Sequence, residues 1–454
     1  MLATLHNRRF RRLLLGVVLL TELPLFALIL LTPLVHSQRV PDDFVYYLQA
    51  SQLLAQGDDL YRGWLSDSAV DRSRVAGYIY PPLLAWTLQP AVHLLGLPAV
   101  ARHPTLSQVH AHYDAIIVGE WRHSKALVVG LVLCQLGSLG VFAIATLRSL
   151  HNRTPDMVLL LAALTIGFFP VQQNFAWGQV NLLLLALGSL WYFGWSRGDS
   201  LRSGAALGLG TAIKLIQAPA LLLLIASRRW LTLAGALAVI GISSLIATPQ
   251  YLREYYTQVL PRLGSGTGFA WNVAPLGTIA RIVDGRSAHI GQTVIGPGVR
   301  LAALGLGLAV VGVSAGAILH ARRRGPARSA LEVAVVLSAI PLVATIDWPA
   351  HLALELLPIV ILLDWALQAE RTALAVAVLA SWVLMGPVQA ALWTDGREQI
   401  GIEPFQEVVP AALWLLWLSA VWASQLAVTP RQADRSRFLS SSSGASLRDA
   451  GRVA

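Results

Sequence analysis

Charge and cysteine are what this chain has least of. Of its 454 residues only 13% are Asp, Glu, Lys or Arg, about half of the ~25% usual in soluble domains. Apolar residues make up 55%, and the mean hydropathy is +0.60. So little charge excludes a soluble multidomain enzyme, a disordered chain and a fibrous repeat, and leaves a polytopic membrane protein. The single cysteine, Cys134, lies inside an apolar run. No intramolecular disulfide or cysteine-based zinc site can form. Internal repeats are lacking by eye, which counts against an inverted-repeat transporter. The first apolar stretch, residues 13–35, has no clean small-x-small exit and is too long for a signal-peptide core. It reads as an uncleaved first span.

What charge there is has a pattern. The 34 Lys+Arg against 24 Asp+Glu leave a net +10. The excess sits in short clusters at the ends of apolar runs: Arg8, Arg9, Arg11 and Arg12, and later Arg322, Arg323, Arg324 and Arg328. This is positive-inside patterning rather than a phosphate-binding surface, so no nucleic acid partner is expected. A bilayer core takes about 20 apolar residues per helix. On that measure, spans are expected at 13–35, 126–147, 157–172, 178–195, 230–247, 299–319, 329–346, 351–367, 372–393 and 408–428. Two further stretches, 81–100 and 204–225, are ambiguous. The Arg clusters fall on one side only if the first lies at the membrane surface and the second is a broken, re-entrant segment. Both termini are then cytoplasmic, with large extracytoplasmic loops at 36–124 and 249–298. One membrane domain covers 1–428, followed by a disordered cytoplasmic tail at 429–454.

Several polar constellations interrupt the apolar background. After the first span, a helix beginning at Asp42 and Asp43 would set Asp43, Tyr46, Tyr47 and Ala50 on one face. A carboxylate there can act as a general base on a hydroxyl, or simply start a surface helix. The stretch from Gln172 to Asn181 holds five amides with Trp177 and Gly178; it is either a substrate site at membrane depth or an amide-capped helix start with an interfacial Trp. Lys214 is the one lysine inside an apolar segment, and its ammonium needs a partner. A lipid phosphate would serve, as would Glu22 or Glu355. Finally, His351 and Glu355 stand at i and i+4, with Asp347 close by. They form either an acid/base or phosphate-contact group or a structural pair. His103, His110, His112 and His123 match no zinc-site spacing, so no metal is expected. The sequon at Asn152 falls in an expected cytoplasmic loop.

Together these segments resemble glycosyltransferase family 87, membrane enzymes of the GT-C class that use polyprenyl-phosphate sugars. The resemblance is carried by Asp43-Phe44-Val45-Tyr46-Tyr47, Gly57-Asp58-Asp59-Leu60-Tyr61, Tyr80-Pro81-Pro82-Leu83, Gly178-Gln179-Val180-Asn181, Gly210 to Lys214 with Pro219, and Trp348 to His351. It implies an all-α, GT-C-like bundle of about ten to twelve transmembrane helices with two large external loops. It implies Asp43 as catalytic base and a polyprenyl-phosphate-linked donor, with mannose the favoured sugar. The acceptor would be a lipid or glycan hydroxyl on the extracytoplasmic face, the anomeric centre would invert, and no cofactor is implied. Relatives often carry paired histidines after the Trp; this chain has Ala350-His351, so only His351 inherits that role. Lys214 and His351 become candidates for the donor phosphate, and Gln179, Asn181, Trp177 and Tyr47 for orienting sugar or acceptor. Asp42, Asp347 and Glu355 stand behind them. A transporter or lipid flippase is the alternative.

Overall fold

The computed structural model describes residues 40–61, 78–95, 124–150, 153–198, 200–269, 271–285, 295–323, 329–392 and 407–426, with scattered positions between 16 and 30. Most of the expected first span, Glu22, the four loop histidines, Asn152 and the tail lie outside the described residues.

Every described element is helical. In order they are α1 (Asp42–Gln56), α2 (Leu83–Leu95), α3 (Ser124–Ser149), α4 (Pro155–Ile166), α5 (Phe169–Trp177), α6 (Asn181–Trp195), α7 (Leu201–Ile213), α8 (Pro219–Ala226), α9 (Trp230–Ile246), α10 (Pro249–Gly264), α11 (Pro275–Asp284), α12 (Pro297–Arg323), α13 (Ser329–Val343), α14 (Leu356–Gln368), α15 (Thr372–Leu392) and α16 (Val408–Gln425). Proline opens α4, α8, α10 and α11, where its missing N–H is no loss. A 3-10 turn, Pro349–Glu355, leads into α14.

Among the described residues, five helices are long and apolar enough to cross a membrane: α3, α12, α15, α16 and the run Pro349–Gln368. Two bent pairs raise this to seven: α4 with α5, at 52°, and α9 with α10, at 112°. The helices α6 and α13 and the stretch Leu215–Ala226 are apolar but shorter. Residues 157–172, expected as one straight span, therefore contain a bend. Residues 204–225, expected to be broken, form α7 and α8 on either side of Lys214 and a 3-10 turn at Leu215–Gln217. Residues 81–100 hold α2 with Pro90 inside it.

Burial sorts the spans. The apolar window of Pro349–Gln368 is 94% buried, against 28% for α3 and 22% for α12. The first is the bundle's axis. The other two turn leucines such as Leu133, Leu301 and Leu308 outward, as lipid-facing helices do. Two apolar clusters meet along α6: Leu182 and Leu185 pack with the axial helix, while Leu184 and Leu187 pack with α1 and α2. The start of α6, where these clusters touch, is where polar side chains collect.

The closest helix contact is that of α7 against α9. A Cβ on Gly204 would lie 1.8 Å from the Thr232 carbonyl oxygen, one on Gly208 2.4 Å from that of Ala236, and one on Gly235 2.3 Å from that of Leu201. Small residues let backbones meet where lipid offers no hydrophobic push. Gly208→Val should therefore destabilise the detergent-solubilised protein by about 1–3 kcal/mol through overpacking, read as a lower melting temperature. Gly137→Ala, facing open space, should leave it unchanged.

Candidate active site

The site is built around a glycine turn. Gly178 ends α5 at φ +69, a left-handed conformation that favours glycine. A Cβ there would lie 2.8 Å from Pro41 Cβ and 2.9 Å from Phe44 Cβ. Its absence brings the start of α1 against the turn that carries Gln179. Pro41, not an aspartate, caps α1, and it makes no side-chain cap bond. Asp42 occupies the first helical position, and Asp43 turns toward Gln179, whose Nε2 donates to Asp43 Oδ2.

Gln179 is the hub. Its Oε1 accepts from Asn181 Nδ2 at 3.2 Å, and Tyr47 Oη and Tyr80 Oη lie 3.4 and 3.5 Å from the same oxygen. The two phenols are 3.3 Å apart. Burial, with the Asp43 charge adding to it, raises both phenols above their ordinary range, so they stay protonated. Asn181 Oδ1 in turn accepts from Lys214 Nζ at 2.9 Å. The result is one relay, Lys214 to Asn181 to Gln179 to Asp43, in which each amide receives at oxygen and donates at nitrogen. Such chains polarise in one direction.

Lys214 reaches this relay because its helix breaks beneath it. It ends α7 in extended conformation, φ −155 and ψ 124. Gln217 holds the break, donating to the Leu184 carbonyl at 2.7 Å, and its Oε1 fills the space a Cβ on Gly210 would need, 2.0 Å away. The ammonium also lies 4.8 Å over the Tyr80 ring, a cation–π contact. Glu355, named from sequence as a partner for Lys214, is not bonded to it. Its Oε2 is buried with no hydrogen-bond partner.

A second cluster stands beside the first. Asp347 Oδ1 lies 2.9 Å from His351 Nδ1, and the Trp348 N–H points at the same nitrogen at 3.3 Å. The expected His351–Glu355 pairing does not form, because Pro349–Glu355 is a 3-10 turn. With about three residues per turn, i and i+4 no longer share a face. His351 Nε2 is buried and unpartnered. Burial pushes the Asp347 carboxyl up to about 7, although the Lys214 charge and the Trp348 N–H pull it down. Asn272 secures this turn, accepting from the Asp347 N–H at 2.9 Å and donating to Thr345 at 3.0 Å. The two clusters share the Ala350 carbonyl, which accepts from Asn174 at 2.7 Å and Asn181 at 3.2 Å. Trp177 is half-buried beside them, its ring 5.5 Å from that of Trp271. Among the described residues no group of three His, Cys, Asp or Glu side chains is placed to hold a metal ion.

Asp43, Tyr47, Gln179, Asn181 and Lys214 are thus brought into one network, and Asp347 with His351 into its neighbour. A family model described as "Glycosyltransferase family 87" matches residues 78–345, more than half of the chain. The chain belongs to glycosyltransferase family 87. The match takes in Gln179, Asn181 and Lys214, while Asp347 and His351 lie just after its end and Asp43 lies well before its start. The chain is also similar to the polyprenol-phosphate-mannose-dependent alpha-(1-2)-phosphatidylinositol pentamannoside mannosyltransferase of Mycolicibacterium smegmatis, 32% identical over 209 residues. That alignment covers 43% of this chain and 45% of the relative. A second relative is the polyprenol-phosphate-mannose-dependent alpha-(1-2)-phosphatidylinositol mannoside mannosyltransferase of Mycobacterium tuberculosis, 33% identical over 153 residues, covering 32% of this chain and 35% of the relative. The aligned stretches span less than half the length of either relative. Neither finding supports the transporter or flippase alternative.

Sequence reasoning missed Tyr80 as the ring beneath Lys214, and it gave no role to Asn272 or Arg281. Arg281 did carry a signal, since it falls on the same face of α11 as Leu276, Gly277 and Ala280, all buried. Gly178→Ala tests the turn that assembles the site. It should lower stability by about 1 kcal/mol for the left-handed backbone and further for the collision with Pro41 and Phe44. Gly57→Ala, at φ +70 with nothing nearby, should show the first effect alone. Thermal melts of both variants separate the two.

Proposed function

We propose that the chain is a multi-pass membrane mannosyltransferase. It moves mannose from a polyprenyl-phosphate carrier to a hydroxyl of a glycolipid or glycan acceptor, and inverts the anomeric carbon. One observation carries the reading: the two-amide relay joins a half-exposed carboxylate, Asp43, to a buried ammonium, Lys214. A base and an anion-binding cation held on one frame are what transfer from a sugar phosphate requires. The printed names of both relatives, with their mannose donor and inositol-lipid acceptors, support the same chemistry.

The step follows from the geometry. Asp43, oriented by Gln179, takes the proton of the acceptor hydroxyl. The freed oxygen pair attacks the anomeric carbon, and the carbon–oxygen bond to phosphate breaks on the opposite side. That bond's electrons leave with the polyprenyl phosphate, whose charge is met by Lys214 and by His351 Nε2. His351 must therefore carry its proton on Nε2. With Asp347 protonated, its hydroxyl donates to Nδ1 and the proton stays on Nε2; with Asp347 ionised, the proton moves to Nδ1 and Nε2 presents a lone pair.

Sidedness has support of its own. Arg197 Nη2 and Arg153 Nη2 both donate to the Arg148 carbonyl, at 3.3 and 2.8 Å, and Arg229 Nη1 bonds Trp195 and Gly198. These arginines gather at the C-terminal end of α6, whereas Asn181 opens it. Fifteen residues of helix are about 22 Å long. A cytoplasmic arginine end puts the site extracytoplasmic, with 1–428 as one GT-C-like domain of about ten crossings.

In purified membranes given polyprenyl-phosphate mannose, Asp43→Asn should lower transfer by about 10²–10⁴-fold without loss of inserted protein. Lys214→Met should lower kcat by a comparable factor. Equal transfer by Asp43→Asn and wild type would move the base elsewhere. The pH profile should fall as pH rises through about 7, the Asp347 value. Asp347→Asn, which donates to Nδ1 at every pH, should remove that fall. A fall that survives the substitution would contradict the His351 assignment.

A further inference from the structure

Four aromatic rings form a continuous strip that the chemistry above does not use. The Trp177 ring meets Trp271 at 5.5 Å and 79°, Trp271 meets Phe269 at 5.6 Å and 60°, and Phe269 meets Trp348 at 6.2 Å and 74°. All four residues are half-buried. They come from three separate segments: the end of α5, the loop before α11 and the turn before α14. The two ends of the strip belong to the two clusters of the site. Trp177 is two residues from Gln179, which holds Asp43, and Trp348 directly follows Asp347, three residues before His351.

The strip rests on an ion pair between a buried guanidinium and a partly exposed carboxylate. Arg281 is 4% exposed. Its Nη1 donates to the carbonyls of Phe269 at 3.1 Å and Asn272 at 2.8 Å, on either side of Trp271. Its Nε and Nη2 bond Glu407, at 2.7 and 3.2 Å, at the foot of α16. An ion pair that takes a guanidinium out of water is a weak device for stability alone. Here the pair fixes the backbone carrying the middle rings.

We propose that this strip is the binding platform for the carbohydrate headgroup of the acceptor, and that it takes several sugar units rather than one. The inference rests on the transferase reading and names the acceptor class for that site. Partly exposed aromatic rings receive the apolar C–H faces of sugars, and their amphipathic edges tolerate the surrounding hydroxyls. A single hexose covers about one ring, so four in sequence match a chain of linked sugars. With Trp177 two residues before Gln179, one end of the strip adjoins the turn that holds Asp43, toward which the terminal hydroxyl of such a chain would extend. Arg281 is a positioning residue for the platform. The competing occupant is the membrane interface, where Trp rings serve as anchors.

The test compares acceptors of two lengths, a mannotetraose glycoside and a methyl mannoside, with polyprenyl-phosphate mannose as donor. In Trp271→Ala and Phe269→Ala, KM for the tetraose should rise at least about fivefold, while KM for the monosaccharide and for the donor stays within twofold. Trp271→Phe should recover most of the loss, which separates stacking from misfolding. Arg281→Met should reproduce the length-dependent rise, and titration calorimetry of solubilised protein with mannotetraose alone should show the same weakening. A length-independent effect, or lost membrane insertion with unchanged KM ratios, would make the strip an anchor and overturn the proposal. No transfer by the wild type to either acceptor would instead overturn the transferase reading on which it rests.

Discussion

Burying one ammonium inside an apolar bundle is the constraint from which the rest of the site follows. A charge taken out of water must be met by oriented dipoles or an opposite charge. Lys214 is met by an amide oxygen and an aromatic face rather than by direct contact with a carboxylate. That arrangement leaves the cation attracted to Asp43 and Asp347 without direct contact with either. Lys214 stands at the break between α7 and α8, in extended conformation. Gln217 and Gly210 hold the break, and the glycine contacts between α7 and α9 hold the helix.

The same logic accounts for the position of the site in the fold. Two apolar clusters, one around the axial helix and one around α1 and α2, form the buried core. Their seam at the start of α6 is the place where polar side chains lose least by burial, since amides from both sides satisfy one another there. Asn174 and Asn181 knit α5 and α6 to the turn before α14 through the Ala350 carbonyl. The aromatic strip and its Arg281–Glu407 support extend this seam away from the reacting groups.

Much of this was legible in the chain itself, and the parts that were not share a cause. Apolar runs mark the long helices directly, because lipid demands them, and a lysine or five amides in such a setting stand out. The break at Lys214 follows from Gly210 and Pro219. Pairings between distant segments are different. Asp43 and Gln179 are 136 positions apart, and only the missing side chain of Gly178 brings them together. The i, i+4 spacing of His351 and Glu355 misled because a proline-initiated 3-10 turn replaces the α-helix that the spacing assumed. Helix count is intermediate: the bends at Gly167 and near Thr248 divide runs that composition alone treats as single spans.

In the proposed reaction one amide frame holds a base and a phosphate-binding cation on opposite sides of the transferred sugar. The most direct measurement is an electron cryomicroscopy structure of the protein in lipid nanodiscs, bound to a non-transferable phosphonate analogue of polyprenyl-phosphate mannose. The account predicts phosphonate oxygens within hydrogen-bond reach of Lys214 Nζ and His351 Nε2, with the sugar ring between them and Asp43. A phosphonate bound out of reach of both groups, or at the arginine end of α6, would contradict it.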